Sequence, residues 1–386
     1  MKPLNSVIAA CPPSGIRRFF DIAASMDDVI SLGVGEPDFV TPWRIREAGI
    51  FALENGFTTY TSNAGLLELR EAICADLDSR YAVSYHPASE CLITAGVSEG
   101  LDLALRVLLE PGDEVLIPEP CYVAYAPCVT FAGGTPVTVP TDGADGFRLH
   151  VDTVAAAVTP RTKAVLISSP ANPTGAVQPR EDLAALVELA VRHDLYLISD
   201  EIYERLSYLS PHTCLAALPG ARERTVLLGG FSKAHAMTGW RVGYLCAPAA
   251  ISELAGRIHQ YTMLCASHVS QMAALEALRA GDSDVAEMVA DYDRRRRLFV
   301  KGLCEIGLDC REPGGAFYAF PSIAGTGLTS QDFAEQLLAS ERVAVVPGDV
   351  FGPSGEGYIR CCYATALPLL EEALERMERF LRKVSA

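Results

Sequence analysis

Two features of the sequence predict an α/β fold, with a smaller α+β domain beside a large one. From about residue 90 to 247, short apolar β-rich runs alternate with helical stretches. That order builds a largely parallel sheet covered by helices on both faces. From about residue 283 the alternation stops, and a long helix leads into short strand-like pieces and a closing helix. Length agrees, because one core rarely serves 386 residues. The expected division is an N-terminal segment, 1–45, joining the small domain; a large domain, 46–282; and a small C-terminal domain, 283–386.

The strand candidates of the large domain are CLIT (91–94), EVLIP (114–118), TPVTV (135–139), AVLIS (164–168), LYLIS (195–199), VLLGG (226–230) and VGYLC (242–246). Most are nearly continuous apolar runs, as expected of strands buried on both faces. Between them, SEGLDLALRVLLE and PREDLAALVELAVRHD space their apolar residues by three and four, which gives each a core-facing stripe. In the small domain the long helix is DVAEMVADYDRRRRLFVKGLCEIG. GGAFYAF, RVAVVPG and GYIRCCYA follow, and LPLLEEALERMERFLRKV closes the chain.

Chemistry-bearing residues follow the strands directly. Gly96 to Ser98 follow the first strand, Glu119 to Tyr122 the second, Asn172 the fourth, Asp200 the fifth and Lys233 the sixth. A parallel sheet brings such positions to one edge, where ligands gather.

Composition narrows the function. A net charge of −16 disfavours binding to nucleic acid or anionic membrane, both of which need a basic face. The one basic run, Arg294 to Arg297, reads as a solvated or ion-paired helix face. The twelve cysteines include no CxxC pair and no zinc-like spacing. Many lie in apolar runs, as Cys91, Cys246 and Cys265 do, which suits free thiols in a reducing cytosol. Cys361 and Cys362 read as neighbours on a strand. No apolar run reaches membrane-spanning length and the N-terminus lacks an apolar signal core, so a cytoplasmic protein is expected. No metal site is expected. His193, His235 and His259 are isolated and read as packing or surface residues.

Three stretches carry the chemistry: SSPANPTG (168–175), LISDEIY (197–203) and GGFSKAHAMTGWR (229–241). They supply an amide, a carboxylate, a phenol, an amine and a guanidinium. That set meets the needs of pyridoxal 5′-phosphate (PLP): a lysine for the aldehyde, an acid for the pyridine nitrogen and a cation for the phosphate.

With SLGVGEPDF (31–39), TTYTSNAGLLELREAI (58–73), ITAGVSEGLDLAL (93–105), PGDEVLIPEPCYVAY (111–125), FSKAHAMTGWRVGY (231–244), GGAFYAF (314–320) and YIRCCYA (358–364), these stretches occur in the order found in one family. Over essentially its whole length the chain resembles the class I/II aminotransferases, which are fold-type I PLP enzymes. The resemblance implies a mostly parallel seven-stranded sheet in the large domain, the number already counted from the apolar runs.

The resemblance also implies roles. Lys233 matches the Schiff-base lysine, which then moves the proton at the substrate Cα. Asp200 matches the partner of the pyridine nitrogen, and Asn172 and Tyr203 match the pair that hydrogen-bonds the ring oxygen. Arg241 matches the phosphate-binding arginine, joined by backbone N–H groups at Val97 and Ser98 and by the Ser232 hydroxyl. Where relatives often carry serine three positions before the lysine, this chain has Gly230, so that contact is lost. Tyr122 matches the aromatic that stacks on the ring. Arg360, with the backbone at Gly35, matches the anchor for the substrate α-carboxylate. Tyr60 matches a tyrosine that reaches the phosphate of a neighbouring subunit, which implies a homodimer with shared active sites.

The implied function is transfer of an amino group from an L-amino acid to a 2-oxo acid by a ping-pong cycle. A PLP-dependent carbon–sulfur β-lyase is the alternative on the same fold. A PLP-sensing regulator would need a basic DNA-binding domain ahead of Ser31, where no room is left. The preferred amino acid stays open. One aspartate-specific branch carries a lysine where Ser98 stands. Arg17 or Arg18 is the candidate to meet an acidic side chain, whereas Tyr122, Tyr125, Phe20 and Phe39 suit an aromatic or aliphatic one.

Overall fold

The computed structural model describes residues 2–13, 15–16 and 26–384. Arg17, Arg18 and Phe20 lie outside the described residues.

After a two-residue strand, β1 (Ile30–Ser31), the chain builds its central sheet. The strands are β2 (Cys91–Thr94), β3 (Glu114–Glu119), β4 (Thr135–Pro140), β5 (Thr162–Ser168), β6 (Tyr196–Asp200), β7 (Thr225–Gly230) and β8 (Gly243–Cys246). They lie in the order β2-β8-β7-β6-β5-β3-β4. Strand β8 runs against both its neighbours and every other pairing is parallel. All seven expected strands are present, with ends moved by no more than two residues.

Strand β5 shows why the apolar runs are continuous. Ala164 and Leu166 face one layer, with Leu101 and Leu105 of the helix Val97–Leu108 and Ile251 and Ala255 of the helix Ala249–Thr262. Val165 and Ile167 face the other, with Leu183, Leu186 and Val187 of the helix Arg180–Arg192. Side chains alternate along a strand, so only an unbroken apolar run fills both layers. Each such buried Leu or Ile contributes about 1.5–3 kcal/mol.

The C-terminal region is organised differently. Strands β9 (Tyr318–Ala319), β11 (Val346–Pro347) and β12 (Ile359–Cys362) form an antiparallel sheet in the order β11-β12-β9, while β10 (Val343–Ala344) pairs in parallel with β1. Ile30 thus faces Val343, which ties the N-terminal segment to this region. The run 342–348 is split at Val345 because its two halves pair with different partners. Tyr292, Phe299, Phe317, Phe333 and Phe380 fill the core between this sheet and the helices Asp282–Glu305, Ser330–Glu341 and Leu367–Val384.

The Arg294–297 run divides between surface and interior. Arg294 and Arg297 stay exposed, but Arg295 and Arg296 are buried. Arg295 pairs with Asp38 and Asp291, and Arg296 with Asp293 and Glu312. Burial at this depth needs these partners, because an unpaired guanidinium in the interior is costly.

Candidate active site

A cavity of about 860 Å³ opens at the carboxyl end of the parallel strands. Gly35, Val97, Ser98, Tyr122, Asn172, Asp200, Tyr203, Ser232, Lys233, Arg241 and Arg360 all line it. Residues separated by more than three hundred positions therefore meet in one place. Tyr60 does not line it. That ring is 79% exposed on the outer surface of the chain.

Asp200 forms the floor. It is the last residue of β6 and is buried. Tyr125 Oη donates to Asp200 Oδ2 at 2.7 Å and the Ile202 amide donates to Oδ1 at 3.2 Å. Burial raises the carboxyl above its ordinary pKa, and these two donors pull it back. No cation hydrogen-bonds Asp200 among the described residues, so the arrangement favours a positively charged N–H arriving from the cavity.

Lys233 lies three residues beyond β7. Its Nζ donates to the Gly35 carbonyl at 2.7 Å and stands 5.9 Å from the Tyr203 ring centroid. Burial pulls its pKa from 10.5 down to about 8; Arg360 and Arg241 push the same way, against Cys362 and Glu36. A sizeable share of the amine is then neutral near physiological pH, as a nucleophile or base requires. Gly35 is held to glycine by closeness, since a Cβ there would stand 2.4 Å from Tyr318 Oη.

Arg241 and the start of the helix Val97–Leu108 form an anion cradle. Among the described residues no side chain caps this helix, whose cap residue is Gly96 at φ 86°. Arg241 Nη2 lies over Gly96, where a Cβ would stand 2.8 Å away, and donates to the Ala95 carbonyl at 3.4 Å. Uncapped N–H groups, the helix dipole and a guanidinium together suit a phosphate dianion.

The opposite wall holds Arg360, on β12 and only 2% exposed. Its Nη1 donates to Asn172 Oδ1 at 2.9 Å and its Nη2 to the Gly33 carbonyl at 2.5 Å. The guanidinium lies 4.5 Å from the Tyr318 ring centroid and 4.9 Å from that of Phe351. Its Nε is buried without a partner among the described residues. A buried cation whose described partners are neutral is suited to a ligand carboxylate. Tyr203 Oη and Tyr318 Oη lie 2.7 Å apart beside it.

The donor set fits PLP: an amine for the aldehyde, a buried carboxylate lacking a cation, and a cradle over Gly96 that a side chain would fill. Among the cavity residues not read from the sequence as site residues are Tyr125 and Tyr318. Tyr125 carried only a substrate-side expectation, whereas its hydroxyl points at Asp200. The periodicity of a short helix could not distinguish a core tyrosine from one bound to a buried acid. Tyr318, in GGAFYAF, lacked a chemical signal of its own. His259, expected to be isolated, is instead paired with Glu99.

The model for aminotransferase class I and II matches residues 27–377. YugH of Bacillus subtilis, itself named only as a candidate aminotransferase, is 55% identical over 99% of each chain. The aspartate aminotransferase of Pyrococcus abyssi is 49% identical over 96% of each chain. Among solved structures, the aromatic aminotransferase of Pyrococcus horikoshii superposes with a TM-score of 0.91 at 47% identity, covering 95% of this chain and 99% of that one.

Proposed function

The chain belongs to the class I and II aminotransferase family and is an aminotransferase, and we propose that the cavity around Lys233 is where it moves an amino group from an L-amino acid to a 2-oxo acid with PLP as cofactor. One observation carries this reading: a lysine with a lowered pKa, a buried carboxylate and two guanidiniums converge on a single cavity.

PLP, when bound, supplies an aldehyde that accepts the amino group and an electron-poor ring that spreads the charge left as substrate Cα loses its proton. The protein does the rest. Asp200 meets the ring nitrogen as a carboxylate and Tyr125 fixes its orientation. Arg241 and the N–H groups of Val97 and Ser98 hold the phosphate, with Ser232 beside them. Tyr122 packs on the ring, and Asn172 and Tyr203 meet its oxygen. Arg360 takes the substrate α-carboxylate. Lys233 removes the proton from Cα in one half-reaction and returns it there in the other.

The cavity walls include Ile16, Val34 and Val123, and among the described residues the only cations lining it are Lys233, Arg241 and Arg360. These walls suit an aromatic or aliphatic side chain better than a second carboxylate. Amino acids assayed with 2-oxoglutarate and pyruvate test both the reaction and this preference. We expect glutamate to form, with tyrosine or phenylalanine preferred to aspartate. Pyruvate and ammonia released from cysteine without an accepting 2-oxo acid would favour the carbon–sulfur lyase.

The working unit is a homodimer in this reading. Trp43, Phe51, Leu53, Tyr60 and Tyr261 are each more than half exposed. The segments are joined, since Asn63 Nδ2 donates to the Leu264 carbonyl. Large apolar side chains exposed to this degree call for a cover. A second copy would also bring its own Tyr60 toward this cavity. Mixing inactive Tyr60→Ala with inactive Lys233→Ala subunits should restore activity; failure despite proven exchange would place each site within one chain. The division at about residues 45 and 282 is retained as a proposal, supported by the gathering of Ile30 and Leu32 with most core residues beyond 282 into one cluster. A cytoplasmic location is supported by twelve free cysteines.

A further inference from the structure

We propose that His259 and Glu99 form a positioning pair that sets the affinity of the phosphate cradle without touching the phosphate. This rests on the reading of Arg241 and the Val97–Leu108 helix start as the site of the cofactor phosphate.

Glu99 is the third residue of that helix. A carboxylate in the first turn favours the helix dipole but competes with a phosphate for the same field. Its two oxygens are both occupied. Oε2 accepts the Ala95 amide at 2.5 Å, and Oε1 lies 2.6 Å from His259 Nδ1. His259 comes from the helix Ala249–Thr262, which packs on the first helix through Leu101, Leu105, Ile251 and Ala255. Its side chain is fully buried, and its Nε2 has no partner among the described residues. Glu99 is thus its one hydrogen-bonding contact through the ring, with Nδ1–H as donor.

The connection runs on to Arg241. Ala95, whose N–H goes to Glu99, receives Arg241 Nη2 on its own carbonyl, in the next peptide unit, at 3.4 Å. Arg241 Nη1 is held in turn by the Thr238 carbonyl at 2.9 Å. Glu99 therefore holds Ala95 from its N–H side while the phosphate-binding guanidinium rests on its carbonyl, and His259 fixes Glu99. The donated proton also draws the carboxylate charge toward His259. Without it, Glu99 would be free to turn its charge toward the cradle or to release Ala95.

The test is equilibrium binding of PLP and of pyridoxal, which lacks the phosphate, to the cofactor-free protein, followed by visible absorbance. His259→Phe removes the donor and keeps an aromatic ring; His259→Met is a second donor-free variant if the first does not fold. Either should weaken PLP by about tenfold while leaving pyridoxal within about twofold, since a hydrogen bond to a charged group is lost. His259→Asn, whose amide can replace Nδ1–H, should recover most of the loss. Glu99→Gln in the His259→Phe background should recover part of it, by removing the unpaired charge. Equal weakening of both ligands, or no change in either, overturns the proposal. Arg241→Ala separates the two levels. If it lowers the PLP preference and the His259 variants do not, the pair has no such role. If even Arg241→Ala leaves the preference unchanged, the phosphate reading fails and this inference falls with it.

Discussion

The two walls of the cavity are built on different scales. The wall carrying Asp200, Lys233 and Arg241 hangs from β6, β7 and β8, strands of four to six residues in the middle of a seven-stranded sheet. The wall carrying Tyr318 and Arg360 hangs from strands of two and four residues in a three-stranded sheet. The first is locked by long ladders on both sides, whereas in the second β12 has ladders of only two residue pairs on each side, supplemented by the reach of Arg360 to Asn172 and Gly33. A preset wall suits the cofactor, which stays. A wall on the smaller region suits the substrate, which must enter, be enclosed and leave.

Substitutions on the sheet wall should have the largest effects. Lys233→Ala should lower turnover by at least about 10⁴-fold, since the proposed function makes one side chain both attachment point and base. The visible band of lysine-linked cofactor should vanish, and its persistence after dialysis would assign the role to another lysine. Asp200→Ala should retain some PLP but lose about 10²–10³-fold in kcat, as the ring nitrogen loses its partner. Turnover near normal would remove Asp200 from the chemistry.

Arg360→Lys tests the other wall. It keeps the charge and loses the planar fork, so KM should rise and kcat fall, for about a 10–100-fold loss in kcat/KM. The loss should be similar for the amino acid and its 2-oxo acid, because both carry the carboxylate. A loss confined to one of them would mean that Arg360 reads something other than the α-carboxylate.

Smaller effects sharpen the contrast. Tyr125→Phe removes one donor from Asp200 and should cost about five- to tenfold in kcat; an unchanged kcat would make Tyr125 a packing residue. The pH response of cofactor capture follows from Lys233. Its pKa is lowered to about 8, so the neutral amine accumulates as pH rises and saturates above that value. Capture by the cofactor-free protein should climb about tenfold per unit below pH 8 and then flatten. A climb continuing through pH 10 would indicate an unshifted lysine.

The same difference in scale decided what the sequence revealed. The central strands were legible because burial on both faces demands unbroken apolar runs, as Val165 and Leu166 show by facing opposite layers. Site residues just beyond those strands inherited that clarity. The C-terminal strands were blurred, since 342–348 serves two sheets and no local pattern marks the switch at Val345. Pairings between distant helices were invisible for the same reason. Nothing near His259 announces Glu99, and nothing near Tyr125 announces Asp200. Tyr60 stands exposed outside the cavity, which nothing in its local sequence announces.

The division of labour between the walls is tested most directly by the equilibrium affinity for PLP in Arg241→Lys and Arg360→Lys, measured side by side. Arg241→Lys should weaken PLP by about tenfold, because the bidentate hold on phosphate is lost. Arg360→Lys should leave PLP affinity within about twofold of the unaltered protein, since the proposed partner of that arginine is the substrate carboxylate. If Arg360→Lys loosens PLP as much as Arg241→Lys does, the two walls do not divide the cofactor from the substrate and the account is wrong.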